Sequence, residues 1–140
     1  MVIHINIRQL GKKRNAVSTV PFDLPVQPAT VRELIIAMVP VCVAAYNERV
    51  RKGETSIRLM TEESLSDMET IGKLAFGVNY GGKEADEAVA IANALQSFED
   101  GLYRIFLGQM ELTALDESLD LTEQDALTFI RLTMLSGSIF

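Results

Sequence analysis

The chain has no tryptophan, one cysteine, one histidine and four prolines in 140 residues. A single thiol closes no internal disulfide, so a secreted, disulfide-stapled scaffold is excluded and the cytoplasm is the default home. Cys42 lies inside the apolar run IIAMVPVCVAA, where a lone cysteine serves as a small hydrophobe. With His4 as the only histidine, most metal sites are removed, and so is every Ser–His or Cys–His nucleophile arrangement except one centred on it. His4 itself alternates with isoleucines on the polar side of a strand pattern and reads as a surface residue. Long hydrophobic runs are also missing. Leu34 to Tyr46 spans about 13 residues, short of the roughly 20 a bilayer helix needs, with Arg32, Glu33, Glu48 and Arg49 close on either side. The first eight residues alternate apolar and polar, so no secretory leader is expected.

Positive charge is scarce too. Thirteen Lys plus Arg against nineteen Asp plus Glu give a net charge of −6, a field that repels nucleic acid and anionic membranes. What remains is a globular composition. With 48% hydrophobic and 23% charged residues the chain can bury a core, and its length suits one domain over 1–140.

Ile3, Ile5 and Ile7 alternate with His4, Asn6 and Arg8, the period of a half-buried strand. Gly11 to Asn15, carrying Lys12, Lys13 and Arg14, forms a turn before a second strand from about Val17 to Leu24, which Pro25 and Pro28 end. Thr30-Val31-Arg32-Glu33 has the form of a capping box and starts a helix with Leu34, Ile35 and Met38 on its core face. A kink or break is expected near Pro40, with helix resuming through Lys52 to Gly53. A short helix over about 61–71 and an irregular loop marked by Gly72, Gly77, Gly81 and Gly82 follow. Ala85 to Glu99 is a helix with Ala88, Ile91, Ala92, Leu95 and Phe98 along one stripe. Two strands close the chain. In the first, Tyr103, Ile105 and Leu107 alternate with Arg104 and Phe106. In the second, Thr128, Ile130, Leu132 and Met134 alternate with Phe129, Arg131 and Thr133.

The phrases FDLP…ATVRELI and FLGQMELTALDESLDLTEQDALTFIRLTMLSG, covering residues 1–46 and 102–137, resemble the sulfur-carrier branch of the β-grasp (ubiquitin-like) superfamily, such as the small subunit of molybdopterin synthase and the thiamine sulfur carrier. The resemblance implies an α+β fold: a mixed β-grasp sheet packed on a helix, with residues 50–101 as a mostly helical insertion before the third main strand. The carriers end in a free Gly-Gly that is adenylated and thiolated. Here the corresponding place reads Ser136-Gly137 followed by Ser138-Ile139-Phe140. Carrier chemistry, or conjugation as a modifier, would require trimming to expose Gly137.

Two further motifs have plainer explanations. Gly77 to Lys83 fits the GxxxxGK spacing, but Glu84 stands where a phosphate loop places Ser or Thr for magnesium, so it reads as a glycine loop. Glu111, Asp116, Glu117, Asp120, Glu123 and Asp125 lack the spacing of a calcium loop and read as a solvated acidic segment able to steer a basic partner. No catalytic residue, metal or cofactor is expected.

In a β-grasp sheet the first strand lies between the second and the last, and the last pairs with the third. Taking Thr128, Ile130, Leu132 and Met134 as inward leaves an outer face of Arg8, Arg104, Phe106, Phe129 and Arg131 with His4. Arg and aromatic side chains are enriched in binding cores. The insertion either lies across this face, making its phenylalanines core, or docks beside the first helix. The expected function is a non-enzymatic interaction or adaptor domain binding another protein, or self-associating, through that face, complemented by Lys12, Lys13 and Arg14. The other expectations are a carrier or modifier acting through Gly137, and a small-molecule site between insertion and sheet.

Overall fold

A computed structural model describes residues 1–9, 17–52, 68, 71–72, 75–76 and 85–131. Five strands and two helices are defined in it. β1 (Val2–Gln9) and β2 (Val17–Asp23) form an antiparallel hairpin, followed by α1 (Val31–Lys52), α2 (Glu87–Glu99), β3 (Tyr103–Leu107), β4 (Met110–Leu112) and β5 (Ala126–Arg131). The chain is α+β, with one mixed sheet in the order β2-β1-β5-β3-β4. β1 and β5 run parallel at its centre, and β5 is antiparallel to β3.

The isoleucine alternation of β1 puts Ile3, Ile5 and Ile7 wholly inside, in one core with Leu34, Ile35 and Met38 of α1. The start of α1 is held twice. Thr30 Oγ1 accepts from the Glu33 amide at 3.2 Å, while Glu33 Oε1 accepts from the Ala29 amide at 2.9 Å, one residue further back than a capping box expects. The Val31 and Arg32 amides then donate to the carbonyls of Glu117 and Leu115, so the β4–β5 connection closes the helix end.

The break expected at Pro40 does not occur; α1 runs through it. The missing proline amide leaves the Ile36 carbonyl without its helical partner. Ile36 is on the solvent side at 41% exposure, while Val39, Cys42 and Val43 are buried around the site. Burial on the core side therefore holds the turn that local propensity would release.

α2 begins two residues later than the sequence suggests, with Asp86 as N-cap accepting from the Val89 amide at 3.1 Å. Its buried stripe is Ala90, Ala94 and Phe98, with Ile91 and Leu95 partly buried, whereas Ala88 and Ala92 face solvent. An alanine-rich helix has apolar residues on every side, so periodicity alone misplaces the stripe. The helix ends at Glu99 with Asp100 as C-cap, and the φ of +76° at Gly101 lets Leu102 N and Gly101 N close on the carbonyls of Ser97 and Phe98, a Schellman motif.

α2 packs beside α1. The Asn47 side chain of α1 donates to the Ala85 carbonyl at 3.0 Å and accepts from the Ala85 amide at 2.7 Å. Phe98 sits 5.9 Å from the Tyr103 ring, which meets Phe76 at 5.6 Å, and Phe76 meets Phe129 at 5.4 Å. Of the two dockings open from the sequence, the described part of segment 50–101 adopts the one beside the first helix. Met68, Ile71–Gly72 and Ala75–Phe76 are also helical, so Gly72 belongs to helix rather than to the expected loop.

β4 has no counterpart among the strands expected from the sequence. It pairs with β3 through a two-residue turn at Gly108-Gln109, where Gly108 takes φ +61°, the left-handed region a type II′ turn needs at its first position.

Candidate functional site

Cross-strand register decides which side chains share a face, because directly paired residues point the same way. On one face Ile7 pairs with Phe129 and Phe129 with Ile105; all three are wholly buried. The other face follows from the intervening pairs. Asn6, Thr128 and Phe106 form one row across three strands, and Arg8, Ile130 and Arg104 form the next.

The expected face is therefore corrected at β5. Phe129 belongs to the core, stacked on Tyr103 at 6.3 Å, and Arg131 shares that inner side as the partner of Tyr103. Ile130, assigned inward from the sequence, is outward and half-buried. The segment ALTFIR has large apolar residues at both parities, so its alternation fits either phase. The buried Ile7 and Ile105 settle the phase by drawing their partner Phe129 inward. Leu132, Thr133 and Met134, the rest of that pattern, lie outside the described residues.

Arg131 in its actual place is half-buried, and its Nη1 has no hydrogen-bond partner among the described residues. Burial lowers the affinity of its guanidinium for the proton, while the adjoining Tyr103 works in the opposite direction. Burial also raises the Tyr103 pKa well above the usual phenol range, against the pull of Arg131. A phenol that keeps its proton donates, and Tyr103 Oη–H does so to the Ala94 carbonyl of α2 at 2.7 Å.

The outer face retains three of the five expected residues. Arg8 and Arg104 are exposed, Phe106 is half-buried, and Ile130 replaces Phe129 as the apolar centre. The Cα atoms of Arg8 and Arg104, two strand spacings apart, are roughly 10 Å from one another. Arg104 Nε lies 3.8 Å from Glu111 Oε2, a carboxylate brought alongside by β4. Arg8 has no ion pair among the described residues. His4 lies further along the same face, opposite Pro21 and Ala126. Lys12, Lys13 and Arg14, expected to complement the face, fall outside the described residues, as do the GxxxxGK match and Gly137.

At the other candidates the surroundings are structural. Cys42 is wholly buried and its thiol pKa is pushed far above the ordinary range by burial. The acidic segment is largely spent on loop closure. Glu117 Oε1 accepts from the Thr113 amide at 2.7 Å, Asp125 Oδ2 from the Thr122 amide at 2.8 Å, and Glu123 Oε2 from the Val2 amide at 3.2 Å. Among the described residues no group of three or more His, Cys, Asp or Glu is placed to hold a metal ion. A cleft of about 360 Å³ between the start of α1, the end of α2 and the β4–β5 connection is open and holds the Arg32–Asp116 ion pair at 3.4 Å. Its two best-placed charges are thus already used on each other. No helix among the described residues is long and apolar enough to cross a membrane.

No family model, no curated protein and no solved structure matches the chain.

Proposed function

We propose that this chain is a β-grasp, ubiquitin-like module of the cytoplasm that acts without catalysis, by binding another protein through the outer face of its sheet. The observation that carries the reading is the cross-strand row Arg8–Ile130–Arg104, set on the face opposite the one against which α1 and α2 pack. An outward-facing, half-buried apolar residue between two exposed arginines has the composition of an interface centre rather than of an ordinary solvated strand. The β-grasp assignment is supported by the order β2-β1-β5-β3-β4, the parallel central pair, and one long helix inserted between β2 and β3 on the core side.

A non-catalytic role is favoured by the residues available. His4 is the only imidazole and lies on the outer side of the sheet, while the Cys42 thiol is buried in the core and protonated, so the two form no Cys–His pair. A single cysteine suits a reducing compartment.

The test is charge reversal. Arg8→Glu with Arg104→Glu, in the full chain, removes capture of a native partner from the source cell while far-UV circular dichroism stays that of the parent. Arg32→Glu, on the helix side, leaves capture intact. Equal capture by the double variant and the parent overturns the reading.

A further inference from the structure

We infer that the Arg8–Ile130–Arg104 row takes an acidic amphipathic helix of the partner, laid across the strands, with carboxylates at positions i and i+7 and apolar residues at i+3 and i+4. The inference rests on the outer face being a partner-binding surface and names what it binds.

Charge complementarity comes first. The chain carries −6 overall, yet neither β1 (VIHINIRQ) nor β5 (ALTFIR) contains an acidic residue, so the centre of this face is locally basic in an acidic protein. A nucleic acid or anionic lipid surface would meet the repulsion of the whole molecule, whereas a short peptide acid meets only the local field, which decays within a Debye length of about 8–10 Å.

Spacing then selects the form of the partner. The two guanidinium-bearing residues are roughly 10 Å apart at their Cα atoms, at right angles to the strands. Seven residues of α-helix advance about 10.5 Å and return to the same side. An extended segment presents same-side residues at about 7 or 13 Å, a poorer fit. On the helix, positions i+3 and i+4 fall between the two acids on the same side and meet Ile130. Phe106, one row along, widens the apolar strip toward β3.

Glu111 supplies an internal competitor. At 3.8 Å its carboxylate already neighbours Arg104, and the long, partly solvated contact is displaced by an incoming acid at small cost.

The experiment measures anisotropy of a fluorescein-labelled, alanine-based helical peptide bearing Glu at i and i+7 and Leu at i+3 and i+4. A control of the same composition has its glutamates at i and i+5. The full chain is expected to bind the first at least about tenfold tighter than the second. Arg8→Ala and Arg104→Ala each weaken it several-fold, added salt weakens it, and Glu111→Gln tightens it by freeing Arg104. Equal binding of the two peptides, or binding indifferent to both arginine substitutions in folded protein, overturns the inference. If neither peptide binds while the double charge reversal still removes capture of the native partner, the helix is wrong and the surface stands. If the reversal also spares capture, both fall.

Discussion

Phe129 and Phe106 are the same residue type on the two closing strands, and one is wholly buried while the other is only half-buried on the opposite face. Phe129→Ala removes a ring packed against Phe76 and Tyr103, and the expected cost is about 3–5 kcal/mol in urea unfolding, because a cavity is left in the core. Phe106→Ala leaves no enclosed void, and about 1 kcal/mol or less is expected. Comparable losses for the two would mean the face assignment of β5 is wrong. Cys42 gives a second residue-scale expectation. With its thiol buried, labelling by iodoacetamide proceeds only through unfolding, so its rate follows denaturant rather than thiol exposure. The pH dependence has a definite sign. The folded-state pKa values of Cys42 and Tyr103 are raised from ordinary values of 9.0 and 10.0, so on alkaline titration the unfolded chain loses these protons first. Stability from both groups is fully present below about pH 8 and declines as pH rises through 9 and 10. A flat unfolding midpoint between pH 8 and 10.5 would contradict their burial.

Among the elements, α1 shows tertiary packing overriding a local signal. Its capping residues Thr30 and Glu33, its core residues Leu34, Ile35 and Met38 and its end at Lys52 were all readable from the sequence. Pro40 was readable as a disturbance but not as one the core would absorb. Pro40→Ala restores an amide to a half-exposed position. The expected gain is about 2 kcal/mol, the intrinsic advantage of alanine in a helix interior less the unfolded-state restriction that proline supplies. Thermal unfolding measures it, and an unchanged or lower midpoint would show that α1 is not continuous there. β2 carries a different local cost: Thr19 holds φ +57° at a bulge opposite Asn6, whose Oδ1 accepts the Thr19 amide at 2.6 Å. No alternation pattern announces such a bulge, since it is an extra residue within an otherwise regular strand. β4 leaves no mark in the sequence because three residues are too few to show a period.

On the scale of the molecule, the Asn47 side chain, bonded both ways to Ala85, adds a polar tie to the apolar packing of α1 against the segment before β3. Asn47→Ala leaves the Ala85 amide and carbonyl without these partners, at about 1–2 kcal/mol. Hydrogen exchange of the α2 amides should quicken while those of β1 keep the protection of the sheet. Uniform quickening throughout would indicate that α2 opens only with the whole fold.

The four main strands and the long helix were legible in the sequence because they rest on local periods and on proline and glycine punctuation; the order of the strands in the sheet was only what the β-grasp resemblance implied. Arg8, Arg104 and Phe106 were legible as face residues for the same reason: β1 and β3 each have one clearly apolar side. The phase of β5, the side on which α2 docks, and the exchange of Phe129 for Ile130 on the outer face were decided only in three dimensions. In each case the residues concerned are apolar in both available positions, and only the partners already buried across the sheet determine which position is filled.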